Sequence, residues 1–124
     1  MDIISTEKAP QALGPYSQAI RANGFIFCSG QIPIDPAAGA VVATTAADQA
    51  RQAITNLQKV LEAAGSGLDK VVKTTVFVSD MNDFAVVNAV YAELFGDTKP
   101  ARSCVQAARL PKDVKIEIEA IAVA

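Results

Sequence analysis

Pro100-Ala101-Arg102-Ser103-Cys104-Val105 is the stretch around which the chain is organised, and the run Val114-Lys115-Ile116-Glu117-Ile118-Glu119-Ala120-Ile121-Ala122-Val123 follows it closely. Both have the residue types of β-strands, and the segment that joins them contains the turn residues Pro111 and Asp113. The sequence therefore predicts that the two runs pair as a β-hairpin.

The predicted hairpin gathers charged side chains on one face. Because side chains alternate along a strand, Arg102 and Cys104 share a face, as do Glu117 and Glu119. A turn centred on Leu110-Pro111 pairs Cys104 with Glu117 and leaves Arg102 and Glu117 as diagonal neighbours about 7–8 Å apart. Most such pairs are structural ion pairs on a solvated surface. The surrounding apolar residues favour burial instead, and with it a functional pair.

The composition is that of a small, apolar chain. It has 124 residues, of which 51% are hydrophobic and 19% charged, and its mean hydropathy is +0.26. We expect a single domain spanning residues 1–124 that leaves apolar surface for another subunit.

Charge and hydropathy argue against two classes of partner. The formal net charge is −2 and the 11 Lys and Arg residues are scattered, which disfavours nucleic-acid binding. No run approaches the roughly 20 apolar residues that span a bilayer, and the first residues lack the pattern of a secretion signal. We expect a cytoplasmic protein that does not bind membranes and for which nucleic acid is a disfavoured partner.

The cysteine and histidine content restricts the possible chemistry. Cys28 and Cys104 are far apart in the sequence, so neither a disulfide framework nor a zinc site is indicated, and the sequence assigns neither thiol a redox role. The chain has no histidine, which excludes Ser-His-Asp and Cys-His sites and removes the commonest metal ligand. Catalysis would depend on carboxylate, guanidinium, hydroxyl and backbone groups.

The order of elements predicts an α+β domain, with two helices packed on one face of a mixed sheet. Asn23-Gly24 marks a hairpin, Thr45 begins the first helix, and Lys70–Val78 reads as a central strand. Asp80 or Asn82 is expected to cap a second helix. Since two helices cover only one face, the other face predicts a homo-oligomer.

Four further residues each allow two interpretations. Tyr16 ends a Pro- and Gly-rich loop and either packs or lines a pocket. Ser29 and Gly30 interrupt an apolar strand, as a bulge or as a place where backbone approaches a ligand. Asn88, polar within an apolar helix stripe, is either a boundary residue or a contact with a ligand or another chain.

Five motifs together resemble the RidA (YjgF) family of reactive-imine deaminases. They are Gly14-Pro15-Tyr16-Ser17-Gln18, Ser29-Gly30-Gln31-Ile32-Pro33, Lys73-Thr74-Thr75-Val76-Phe77-Val78, Pro100-Ala101-Arg102-Ser103-Cys104-Val105 and Leu110-Pro111-Lys112-Asp113-Val114-Lys115-Ile116-Glu117-Ile118-Glu119. The resemblance implies a chorismate-mutase-like fold and a homotrimer with clefts between subunits. It also implies hydrolysis of 2-iminobutanoate and 2-iminopropanoate, which arise from 2-aminoacrylate-type enamines, to 2-oxo acids and ammonia. This activity would protect pyridoxal-phosphate enzymes without any cofactor or metal.

The resemblance also implies roles for individual residues. Arg102 falls on the family's carboxylate-binding arginine, Cys104 on a backbone contact to the imine, and Glu117 on the carboxylate that handles water. The pocket-lining positions of the family fall on Tyr16, Ser29, Gly30 and Asn88. The loop Gly96-Asp97-Thr98-Lys99 is short beside that of some members and affects the rim of the cleft.

Two other classes of function stay open. The same arginine could hold a small carboxylate in a regulatory module without turnover, although such a module gains nothing from a second negative charge at Glu117. RNA cleavage or a chaperone-like activity is the other alternative. The acidic charge and the lack of a basic or aromatic platform disfavour RNA.

Overall fold

The computed structural model describes residues 1–124 and contains one six-stranded mixed sheet with two helices. The strands are β1 Asp2–Ile4, β2 Ala19–Ala22, β3 Phe25–Gln31, β4 Ile34–Asp35, β5 Ala40–Val41, β6 Val71–Val78, β7 Ala101–Gln106 and β8 Ile116–Val123. The helices are α1 Ala46–Ala63 and α2 Phe84–Phe95. The large sheet has the order β1-β2-β3-β8-β6-β7, and β4 and β5 form a separate small hairpin. Neither helix has the length and apolar character needed to cross a membrane.

Both helices lie on one face of the sheet, as the sequence predicts. The Thr45 hydroxyl caps α1 by accepting a hydrogen bond from the Asp48 N–H at 3.1 Å. Asp80 caps a short 3-10 turn, Met81–Asp83, that leads into α2. The helices cover the sheet with a continuous core whose fully enclosed members include Ile54, Leu57, Leu61, Val76, Val78, Ile116 and Ile118.

The hairpin predicted at Asn23-Gly24 is confirmed. β2 and β3 pair in antiparallel register around Asn23 and Gly24, whose φ values of 51° and 80° are those of a two-residue hairpin turn. Further along β3, the register shifts between Cys28 and Gln31, so that Ser29 and Gly30 form a bulge.

The prediction that residues 100–105 and 114–123 pair as a hairpin is wrong. β7 and β8 do not pair, because β6 lies between them. β7 is an edge strand that runs parallel to β6, and α2 makes the crossover that a parallel connection requires. β8 pairs antiparallel with β6 on one side and with β3 on the other.

This topology separates the charged residues that the hairpin would have joined. Arg102 is level with Thr74 of β6, which is buried beneath the helices. Glu117 is level with Phe77, and both of its neighbours in β8, Ile116 and Ile118, are buried beneath the helices. Since side chains alternate between faces, Arg102 lies on the helix side and Glu117 on the opposite, open side. The prediction that they share a face is wrong for one chain.

The open face of the sheet carries large apolar side chains that remain exposed. Phe25 is paired with Val123, and Phe27 with Ile121. Phe25, Phe27 and Val123 are each more than 40% exposed, as is Val105 on the edge strand. Such a surface is typical of an interface with another protein chain.

Candidate functional site

Arg102 is held over the aromatic side of α2 with no acidic partner. Its guanidinium carbon lies 4.7 Å from the ring centre of Tyr91 and 5.4 Å from that of Phe84. Its Nη1 donates a hydrogen bond of 2.7 Å to Oδ1 of Asn88. The four ion pairs of the molecule do not include it. The remaining guanidinium N–H groups are therefore available to bind an anion.

The support beneath Arg102 is itself fixed. The Tyr91 hydroxyl and the Thr74 hydroxyl form a buried hydrogen bond of 2.8 Å, and the Tyr91 ring stacks on Phe95 at 4.3 Å between centroids. Sequence analysis assigned no site role to Tyr91, Phe84 or Thr74. The signal was the spacing of Phe84, Asn88 and Tyr91, which places all three on one side of a helix.

Glu117 is half-buried on the open face, beside the bulge of β3. It forms neither a hydrogen bond nor an ion pair with another side chain. Burial raises the pKa of its carboxyl group above the ordinary value, and the negative charge of Glu119 raises it further. A carboxyl group with a raised pKa holds a proton more readily than an ordinary one, which suits a group that accepts and returns a proton.

Gly30 lies directly against Glu117. A Cβ atom built on Gly30 would lie 2.0 Å from Oε2 of Glu117, so only glycine leaves room for this carboxylate. Gly30 therefore lies in a bulge, which is the first of its two interpretations. The group that closely approaches its backbone is the Glu117 side chain of the same chain.

Ser29 and Tyr16 lie near the same end of the sheet. The Ser29 hydroxyl donates a hydrogen bond of 2.6 Å to the carbonyl oxygen of Ser17, which follows Tyr16 in the chain. The Tyr16 side chain is exposed and lines a cavity of about 260 Å³ together with Gln31 and Lys112.

Both cysteine thiols have a raised pKa, so neither readily forms a thiolate. Burial raises the pKa of the Cys28 thiol to about 12. Burial also raises the pKa of Cys104, although the positive charge of Arg102 acts in the opposite direction. Cys104 lies on the edge strand β7, one side of which has no strand partner. Its backbone groups are therefore better placed than its thiol to meet a ligand.

The predicted site residues thus form two groups. One group, Arg102, Asn88 and Cys104, lies at α2 and the β7 edge; the other, Glu117, Gly30, Ser29 and Tyr16, lies at the β3 bulge and the loop before β2. Arg102 and Glu117 are three residues apart along β6 and two strand spacings apart across it, about 10 Å in each direction. Because they also face opposite sides, one chain alone does not bring the two groups together.

The comparisons with known proteins identify the family. The family model described as Endoribonuclease L-PSP matches residues 6–124. The chain belongs to this family, the RidA (YjgF) family. A RutC family protein of Pyrococcus horikoshii is 58% identical over 121 residues, which cover 98% of this chain and 96% of that protein.

Other RidA-family relatives carry more specific names. An Escherichia coli strain K12 protein named 2-iminobutanoate/2-iminopropanoate deaminase is 58% identical over 123 residues, which cover 97% of this chain and 95% of that protein. The crystal structure of E. coli TdcF with bound serine matches with a TM-score of 0.95 at 47% identity, covering 100% of this chain and 99% of that one. Deaminase, RutC and endoribonuclease names thus occur within one fold.

The two groups offer complementary chemistry to a RidA-family site. The Arg102 group presents a fixed cation suited to a planar carboxylate. The Glu117 group presents a carboxyl group that can accept and return a proton. A site that used both could bind a small carboxylic acid and activate water beside it.

Proposed function

We propose that this chain is a hydrolytic deaminase that converts 2-imino acids such as 2-iminobutanoate and 2-iminopropanoate to 2-oxo acids and ammonia. The observation that carries the proposal is the guanidinium of Arg102, which is fixed on Tyr91 and by Asn88 and is unpaired with any carboxylate. An arginine that is ordered but unneutralised is suited to bind an anionic substrate. The deaminase names of relatives at 57–58% identity support the same reaction.

In the proposed mechanism, Arg102 binds the substrate carboxylate through two parallel hydrogen bonds and so fixes the position of C2. The Cys104 backbone orients the imine. Water attacks C2 while Glu117 accepts its proton, and the C=N π electrons move to nitrogen. The proton then passes from Glu117 to that nitrogen, the C–N bond breaks to release ammonia, and Glu117 takes the hydroxyl proton as the C=O bond forms. Glu117 then gives this proton to the departing ammonia, which leaves as ammonium. A protonated imine is a strong enough electrophile to need neither metal, cofactor nor covalent nucleophile.

The site would be shared between subunits of a homotrimer with the chorismate-mutase-like arrangement. The separation of the Arg102 and Glu117 groups within one chain supports a site in which they come from different subunits. The exposed Phe25, Phe27 and Val123 side chains support a partner chain on the open face. In this arrangement each cleft takes Arg102, Asn88 and Cys104 from one subunit and the other group, Tyr16, Ser29, Gly30 and Glu117, from its neighbour.

The protein would act in the cytoplasm, where pyridoxal-phosphate dehydratases release reactive enamines and imines. The test is to add the protein to threonine and a threonine dehydratase and to time the release of 2-oxobutanoate. Wild-type protein should accelerate the release, and Arg102→Lys should lose most of the effect because a point ammonium cannot make the bidentate contact. Arg51→Lys, an exposed arginine of α1, is the matched control. A wild-type protein without effect would contradict the proposal.

A carboxylate-binding regulatory module is the second candidate, because a solved relative holds bound serine. It requires that ligand binding occurs without turnover. The dehydratase assay, together with a measurement of 2-oxobutanoate binding, separates the two candidates. Binding of 2-oxobutanoate without accelerated release in the assay would favour the module. Incubation with RNA tests the activity that the family description names.

A further inference from the structure

A cavity of about 350 Å³ lies next to Arg102, between the C-terminal half of α2 and the start of β7. The stacked rings of Tyr91 and Phe95 form part of its wall. The segment Gly96–Pro100 also contributes to the lining, through Gly96, Lys99 and Pro100. None of the preceding roles accounts for this space, which exceeds what a four-carbon acid requires.

The charges around the cavity are all positive. Its lining contains Lys99 and Arg102 and no aspartate or glutamate. Neither cation belongs to an ion pair. The nearest acidic residue in the sequence, Asp97, is outside the lining, and Glu93 on α2 is paired with Arg51. Two unneutralised cations on one small cavity are complementary to two negative charges.

The backbone conformation at Lys99 is unusual and is restricted by the residues on both sides. Lys99 has φ 44° and ψ 59°, a left-handed conformation that disfavours a residue with a side chain. It follows the short 3-10 turn Gly96–Thr98 and precedes Pro100, whose ring restricts the backbone on its other side. Glycine or asparagine would adopt this conformation at lower cost, so a lysine here is consistent with a role for its side chain.

We infer that Lys99 is a specificity-determining residue and that the site accepts 2-imino acids with a second, side-chain carboxylate, such as those derived from aspartate or glutamate. Arg102 binds the carboxylate next to the imine carbon, and Lys99 binds the distal one from the cavity lining. The inference rests on the proposed function, because it assigns a substrate class to the same site. The reaction is unchanged: water adds to C2, the C–N bond breaks, and ammonia leaves.

The first test measures binding of stable 2-oxo acids, so that it does not depend on turnover. Calorimetry compares 2-oxoglutarate, which has two carboxylates, with 2-oxobutanoate, which has one. Lys99→Gln should weaken 2-oxoglutarate binding by roughly tenfold, the contribution of one charge-assisted hydrogen bond, and leave 2-oxobutanoate unchanged. Lys99→Arg should retain most of the 2-oxoglutarate affinity. Lys70→Gln, which removes another exposed lysine at the end of a short helical turn, controls for the change in net charge.

The second test measures hydrolysis of imines that a flavin amino-acid oxidase releases from glutamate or from 2-aminobutyrate, with semicarbazide as the competing trap. Lys99→Gln should lower kcat/KM only for the dicarboxylic imine. Equal effects on both imines, or 2-oxobutanoate binding with no Lys99-dependent binding of 2-oxoglutarate, would overturn the inference and leave the deaminase proposal intact. Lys99-dependent binding without hydrolysis of either imine would support the subsite and contradict the deaminase.

Discussion

At the scale of single residues, Tyr91 has two separable contacts, a ring beneath Arg102 and a hydroxyl bonded to Thr74. Tyr91→Phe keeps the ring, so we expect kcat/KM to fall by less than about fivefold. Tyr91→Leu removes the cation–π support, which is worth about 0.5–2 kcal/mol, and should raise KM about tenfold with a smaller change in kcat. Steady-state kinetics of folded variants measures this, and equal losses in both variants would contradict the positioning role.

The proposed role of Glu117 as the base predicts how the activity depends on pH. Its pKa is raised by burial and by Glu119, and the base is active only when ionised, so the acid limb of kcat/KM should lie above that of an ordinary carboxylate. Glu119→Gln removes the neighbouring charge and should shift this limb to lower pH, whereas Glu62→Gln should not. Glu117→Gln should slow hydrolysis by about 10²–10⁴-fold. A limb that is unchanged by Glu119→Gln would place the base elsewhere.

The same group predicts the sign of a stability change. Because the folded pKa of Glu117 is raised, its protonated form is the one that folding favours, and this stabilisation is lost as pH rises through the raised pKa. Glu117→Gln has no such loss. The unfolding free energy of this variant relative to wild type should therefore increase between pH 4 and pH 8, measured by urea denaturation.

Cys104 is a test of mechanism at the same scale. Burial raises the pKa of its thiol, and the chain has no histidine to activate it. We expect Cys104→Ala to retain a large part of the activity, since the backbone of β7 remains in place. A folded Cys104→Ala protein as inactive as Arg102→Ala, or a covalent substrate adduct on Cys104 by mass spectrometry, would favour covalent catalysis instead.

At the scale of elements, the bulge in β3 makes room for the Glu117 carboxylate, which lies against Gly30. Gly30→Ala would place a methyl group 2.0 Å from Oε2 of Glu117, so this side chain must move away. We expect activity to fall by more than tenfold and Tm to decrease. In a Glu117→Ala background the same substitution should cost little stability, because the clash is gone. An equal cost in both backgrounds would show that the glycine is needed for the bulge itself.

Local patterns predicted some elements well. Asn23-Gly24 specified a hairpin because its two residues adopt the positive φ values of the turn, and Thr45 began α1 because its hydroxyl satisfies a free N–H group. Both are contacts between residues close in the chain, which a sequence pattern records directly.

The pairing of β7 failed because it depends on a distant strand. Arg102 and Glu117 are close in the sequence, but the β6-α2-β7 order makes a parallel crossover that places β6 between them. A strand–helix–strand pattern is itself a signal for parallel pairing, and in this chain it prevails over the turn residues Pro111 and Asp113. The contact of Arg102 with the aromatic rings of α2 could not be predicted for the same reason. The sequence places these rings on one side of a helix, but the predicted hairpin put β7 in the wrong position in the sheet.

At the scale of the whole molecule, the proposed ring of subunits would account both for the two separate groups of site residues and for the apolar open face. In a cyclic trimer each interface joins different surfaces of neighbouring chains, so Arg102 of one can meet Glu117 of the next. A mass by light scattering of three times 12.9 kDa is the first expectation of this arrangement.

Mixing inactive variants tests the proposal of a shared deaminase site most directly. Arg102→Ala and Glu117→Ala subunits, refolded together in equal amounts, should regain about a quarter of the wild-type rate of imine hydrolysis, because one cleft in four receives both residues. Arg102→Ala mixed with Asn88→Ala should show no more than the residual rate of the Asn88→Ala subunits, since these residues are bonded within one chain. Mixed trimers of Arg102→Ala and Glu117→Ala that hydrolyse no imine, although wild-type trimers do, would contradict a site shared between subunits.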